Sequence, residues 1–228
     1  MRRRTRFGVQ VAVAAALVGL ATTVPVAAKG GDDYTSIFSD GSLVGAGWAG
    51  CPTAIVWDAD VSGLSPKAAG FALSDLEWAL NTWGAAGGIP VVKGAEGQLT
   101  YDNASATVSG APGARKVYVK FVNDKDSDYL SGRVVGVATP TKVIPSVPEI
   151  VGGSAAFRTD YIEYASKTES RALLLHELGH ALGLGHSKDK KSVVYPIVST
   201  NIKLSAGDIA GIRAFTKKCD PSLDAQRG

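Results

Sequence analysis

All three histidines of this 228-residue chain, His176, His180 and His186, fall within the stretch HELGHALGLGH, and Glu177 follows the first of them. On a helix, residues four apart project from one face a single turn apart, so His176 and His180 can reach one metal ion. Glu177 lies about 100° around the helix from His176, beside that ion but off the ligand row, as suits a base acting on water held there. Gly183 falls where the helix must end. A glycine enters the left-handed region without a Cβ clash, so the chain can turn sharply and return His186 to the same ion.

The ligand set points to chemistry rather than to structure alone. A structural zinc site is closed by four protein ligands, whereas three histidines leave a position for water. The expected cofactor is therefore one catalytic zinc ion, held by His176, His180 and His186. Such an ion lowers the pKa of bound water to roughly 7 and polarises a carbonyl, while Glu177 takes the proton and passes it to the departing amine. Hydrolysis of protein or peptide substrates follows. A bare HExxH pentamer arises by accident on surface helices, but a third histidine at this offset, with glycine three residues before it, does not fit that explanation.

Positioning these groups requires a helix, and Ser166 with Glu169 forms the S-x-x-E capping box that starts one near Lys167. A second box, Ser205 with the shorter Asp208, opens a final helix. There Leu204 and Ile209 are spaced for a hydrophobic staple, and Ile209, Ile212 and Phe215 share one face. Upstream, Ser65-Pro66 starts a helix over 67–83, with Leu76, Leu80 and Trp83 on its apolar stripe and Gly84 closing it. Trp78 and Trp83 read as core anchors. Strands are expected at 54–57, 89–92, 116–122, 133–139 and 155–164. Five strands, two long helices and a C-terminal helix make a mixed α/β (α+β) domain.

The first 28 residues place Arg2, Arg3, Arg4 and Arg6 before an Ala/Val/Leu-rich run that ends in small residues at Ala28. This is the order of a secretory signal peptide, with an uncleaved anchor as the alternative. Residues 29–50 read as a flexible arm or short leader and 51–228 as the catalytic domain. Loss of the leader removes four of 24 basic residues and none of the 21 acidic ones, leaving a nearly neutral protein. No basic cluster for nucleic acid survives. A secreted, extracellular monomer without nucleic-acid or membrane partners is expected. Cys51 and Cys219 would pair in an exported protein, tying the start of the domain to its end, with two buried free thiols as the other possibility.

H-E-x-x-H-x-x-G-x-x-H is the metzincin signature, and HELGHALGLGH followed by Ser187 resembles the matrixin branch. The match continues through Val194-Tyr195-Pro196, where the family has a tight M-Y-P turn, and through LSAGDI from Leu204 to Ile209. The resemblance implies a zincin domain with a twisted, mostly parallel five-stranded sheet and an antiparallel edge strand. That edge would be 133–139, including Val137, and a substrate would dock there as an added strand. The resemblance also implies a specificity pocket with Pro196, Ile197 and Val198 as its outer wall. Three departures stand out. Val194 replaces the turn methionine, no propeptide cysteine motif is present, and no histidine remains for a second, structural zinc, so the chain is similar to a minimal, microbial-type relative. The first two motivate an alternative, a catalytically silent zinc-binding or protein-interaction domain, against which Glu177 argues. Asp124, Asp126 and Asp128 resemble the oxygen ligands of a calcium loop, but Tyr129 occupies the glycine position and a solvated turn competes with that reading.

Overall fold

The computed structural model describes residues 54–216 except 112, 114 and 145–148, together with Tyr34, Thr35, Ile37, Gly47 and Trp48. In chain order the elements are β1 (Gly47–Trp48), β2 (Ile55–Asp60), α1 (Pro66–Gly87), β3 (Val91–Glu96), β4 (Thr100–Asp102) and β5 (Thr107–Ser109). They continue with β6 (Lys116–Val122), β7 (Gly136–Ile144), β8 (Glu149–Arg158), α2 (Thr159–Tyr164), α3 (Lys167–Ala181) and α4 (Ala206–Thr216). The main sheet runs β3-β2-β6-β8-β7. Its first four strands are parallel and β7 is antiparallel at the edge, while the two residues of β1 pair with β8 ahead of β6.

Strand alternation divides the side chains of β2 and β6 between two layers. Trp57, Ala59, Val117, Val119 and Phe121 face the helices, where they meet Leu76, Leu80 and Trp83 of α1 and Leu173, Leu174 and Leu178 of α3 in the main core. The Trp83 indole N–H donates to the Leu175 carbonyl at 3.0 Å, locking α1 to the helix that carries the motif. On the other face Val108, Tyr118, Val122, Leu130, Val137 and Ala156 form a smaller cluster. Beside it stand two carboxylates. Asp58 accepts from the Lys116 ammonium at 2.7 Å and from the Ala95 N–H at 2.9 Å. Asp60 accepts from Lys120, from the Leu99 N–H and from the hydroxyl and N–H of Ser62. Burial raises the Asp60 carboxyl, but these donors outweigh it and bring it down to about 2.

Several expectations shift. The strand expected at 155–164 ends at Arg158 and starts earlier, at Glu149. Beyond it, Thr159 and Ile162 are buried three residues apart, the spacing of the short helix α2 rather than of a strand. Its first half is disguised by Gly152-Gly153, which resemble turn punctuation; a Cβ on Gly153 would lie 2.4 Å from the Ala181 carbonyl, so the glycine lets α3 approach β8. Helix α1 continues past Gly84 to Gly87 and is capped by Gly88 at φ 71°. Gly84 instead permits close packing on Val91, whose Cγ2 would be 2.6 Å from a Cβ there. The β4–β5 hairpin lies in a Gly/Ser-rich stretch with no strand expectation.

Ahead of Cys51, described residues contact the rest of the fold. Trp48 is 3% exposed and donates to the Leu182 carbonyl. Tyr34 packs against the main core. The leader 1–28 and the Cys51–Cys219 pair lie outside the described residues. Among the described residues no helix is long and apolar enough to cross a membrane.

Candidate metal centre

Helix α3 starts as its sequence demands. The Ser166 hydroxyl accepts from the Glu169 N–H while the Glu169 carboxylate accepts from the Ser166 N–H, completing the capping box. It ends at Ala181, and Gly183 then adopts φ 112°. That reversal is held by the Gly183 N–H on the His180 carbonyl and the Leu184 N–H on the Gly179 carbonyl, and it carries His186 back towards the helix.

The three imidazoles converge. Nε2 of His176 and Nε2 of His180 are 3.1 Å apart, and one ligand atom from each of the three histidines lies within 4.8 Å of the others. Among the described residues they are the one group of potential metal-binding side chains gathered closely enough to share an ion. Two ligands of a tetrahedral zinc with Zn–N near 2.05 Å stand about 3.3 Å apart, so the observed spacing suits that ion. The outer nitrogens add a second argument. Nδ1 of His176 meets the Val193 carbonyl at 2.8 Å and Nδ1 of His180 meets the Leu184 carbonyl at 2.7 Å. A carbonyl can only accept, so both Nδ1 atoms carry the proton and both Nε2 atoms present lone pairs to each other. Two facing lone pairs at 3.1 Å repel unless a cation lies between them. The buried Nε2 of His186 likewise has no protein partner.

Burial lowers the titration of all three rings, to about 4 for His180 and well below the usual value for His176, where the neighbouring His180 adds to the effect. The rings are thus neutral, the form that binds metal. Glu177 is fully buried and neither of its oxygens has a protein partner. Burial pushes its carboxyl up to about 8, a direction that a nearby dication reverses. Gly136 of β7 leaves space for this side chain, because a Cβ there would stand 2.7 Å from the Glu177 Cγ.

The turn after the third histidine closes beneath the site. Val194 is 1% exposed and would lie 2.7 Å from a Cβ on Gly179, with Trp83 behind it. The turn is pinned to the loop of His186 by the Ser187 N–H on the Val194 carbonyl. Asp208 holds it from the other side. Its carboxylate accepts from the Ser192 hydroxyl at 2.5 Å, the Val193 N–H at 3.0 Å and the Ser205 N–H at 2.7 Å. The sequence marks Asp208 as a helix cap, which it is, but gives no sign that the same carboxylate holds the backbone N–H of Val193, the residue whose carbonyl orients His176.

The residues expected to meet substrate are placed unevenly. Val137 lies on the edge strand, but its side chain is 2% exposed in the smaller cluster, on the opposite face from Gly136 and Glu177. Arg158 N–H donates to the Val135 carbonyl. By the alternation of an antiparallel ladder, 135 and 137 therefore bond to β8, while Gly136 and Ala138 turn their peptide groups outwards. Pro196 is exposed and Val198 is half-buried against the main core. Asp124 and Asp126 sit in a 3-10 turn, and Asp128 accepts from the Asn103 amide.

A family model described as Matrixin matches residues 85–216, more than half of the chain. The chain belongs to the matrixin family. Similar proteins include matrilysin of Felis catus, 54% identical over 51 residues, which are 21% of this chain and 20% of that protein. Matrix metalloproteinase-19 of Homo sapiens is 33% identical over 121 residues, 49% of this matrixin and 22% of the human protein. Metalloendoproteinase 1 of Glycine max is 39% identical over 51 residues, 21% of this matrixin and 17% of the plant protein. The matched stretch of this matrixin thus spans about a fifth of each of these three relatives.

Proposed function

We propose that this matrixin is an exported zinc endopeptidase, with His176, His180 and His186 as metal ligands and Glu177 as general base. The observation that carries the reading is the convergence of three neutral imidazoles, two with their Nε2 lone pairs 3.1 Å apart, beside a buried carboxylate with no protein partner. When bound, zinc supplies an acidified water and a Lewis acid for the scissile carbonyl. Glu177 accepts a proton from water and delivers it to the amine that leaves, and its burial keeps that proton from exchanging with solvent. The outward peptide groups of Gly136 and Ala138 offer an extended substrate a strand to pair with, Val137 holds that strand to the sheet, and Pro196 and Val198 form the wall of the adjoining side-chain pocket. Export by the leader ending at Ala28 and pairing of Cys51 with Cys219 complete the proposal.

The test compares wild type with Glu177→Gln on denatured casein and a quenched peptide library, with zinc content measured for both. The mutant is expected to keep its zinc and lose roughly a hundred- to ten-thousandfold in turnover. Equal turnover by the two proteins would remove Glu177 from the chemistry, and a zinc-loaded wild type that cleaves nothing would favour a silent binding domain.

A further inference from the structure

Of the three metal-binding side chains, His186 is the one that no helix holds; its loop needs support from elsewhere. That support comes from about 150 residues earlier in the chain. The Thr35 hydroxyl donates to the carbonyl of His186 itself at 2.5 Å. The Gly185 N–H donates to the Thr35 carbonyl at 2.8 Å, and the Ile37 N–H donates to the Gly183 carbonyl at 3.0 Å. These contacts bracket the whole return from the left-handed Gly183 to the ligand. One residue before Thr35, Tyr34 lies against α4, with its Cβ and Cγ 3.0 and 3.1 Å from where a Cβ on Gly211 would stand. The segment is therefore anchored on α4 at one end and bonded to the ligand loop at the other.

We infer that Thr35 and Ile37 are positioning residues for the third metal ligand, so that this part of the N-terminal stretch belongs to the metal site rather than to a removable arm. The inference rests on the reading of the three histidines as a zinc site. Its chemistry is restraint. A loop free to move lets His186 swing away from the ion, and a two-ligand state is the first step of metal loss. The Thr35 hydroxyl acts on the backbone of the ligand residue, while the Ile37 and Gly185 peptide bonds fix the register of the loop on which it rides.

The experiment measures zinc release from the full chain to a chromophoric chelator, alongside the thermal midpoint of the metal-free protein. Thr35→Val keeps the shape and branching of the side chain and deletes the hydroxyl donor, whereas Thr35→Ser keeps the donor. Release is expected to be about two- to tenfold faster in Thr35→Val, the worth of one hydrogen bond, near wild type in Thr35→Ser, and with the metal-free midpoint unchanged. Ile37→Pro, which removes the backbone donor, gives a second route to the same acceleration should Thr35→Val fold poorly. Wild-type zinc that leaves no more slowly than from Thr35→Val and Ile37→Pro overturns the inference and leaves the zinc site standing. So does acceleration matched by an equal fall in metal-free stability, which marks a merely structural role. A wild type that binds no stoichiometric zinc overturns this inference together with the reading it rests on.

Discussion

Two groups of buried polar side chains, one on each face of the sheet, are completed in opposite ways. Beside the smaller cluster, Asp58 and Asp60 are 3% and 2% exposed, and each carboxylate has its own lysine and at least one backbone N–H. On the helical face, Glu177 and the inner nitrogens of the histidines are just as buried, yet they point at one another or at nothing. Buried polar atoms without partners cost free energy, and a fold retains them where something outside the chain completes them. The first arrangement is self-sufficient and serves stability. The second is incomplete in a way that a divalent cation and its water repair.

The comparison can be broken by removing groups from either side. The largest effect is expected for His180→Ala, which leaves two ligands; the variant should carry no stoichiometric zinc by elemental analysis and show no peptide cleavage. Asp208→Ala comes next. It strips the acceptor from Ser192, Val193 and Ser205 at once, so denaturant unfolding should show a loss of about 3 kcal/mol, with zinc held more weakly because the Val193 carbonyl no longer fixes His176. On the self-sufficient side, Lys120→Met leaves Asp60 buried without its cation and should cost about 2 kcal/mol at neutral pH, somewhat less than a fully enclosed pair because Lys120 is 21% exposed. The sign of its pH dependence follows from the lowered Asp60 carboxyl. In wild type that stabilisation is complete above the ordinary value of 3.8 and fades as pH falls towards about 2. Acid titration of the variant followed by circular dichroism should therefore show unfolding at a higher pH than wild type. The smallest effect is expected for Gly179→Ala, where overpacking against Val194 and Trp83 is partly offset by the better helix propensity of alanine, for a net loss of about 1 kcal/mol in thermal unfolding.

What could be read in the sequence was whatever is set by local spacing. The four residues of the centre lie within eleven positions, the capping boxes at Ser166 and Ser205 span four residues each, and both are found where their spacing puts them. The order of strands and helices and the edge position of the seventh strand also agree with the family resemblance. What stayed hidden depends on partners far away in the chain. The hold of Asp208 on Ser192 and Val193, the grip of Thr35 on His186 and the space that Gly136 leaves for Glu177 join residues 15 to 151 positions apart, and no periodicity encodes such pairs. The second half of the expected strand at 155–164 failed for a local reason: Tyr161, Ile162 and Tyr164 favour strands by type, but burial at Thr159 and Ile162 follows a helical step. Val137 lies on the edge strand, but which residues of that strand bond to β8 and which turn outwards depends on the register between β7 and β8, and one residue of phase in a two-residue repeat reverses the assignment.

The most direct test is anomalous diffraction at the zinc absorption edge from crystals of the full chain grown with zinc. A single peak about 2.0 to 2.1 Å from Nε2 of His176, His180 and His186, with no fourth protein ligand and Glu177 alongside, is the predicted result. Rings turned apart with no peak between them, or a fourth side chain closing the coordination sphere, would contradict it.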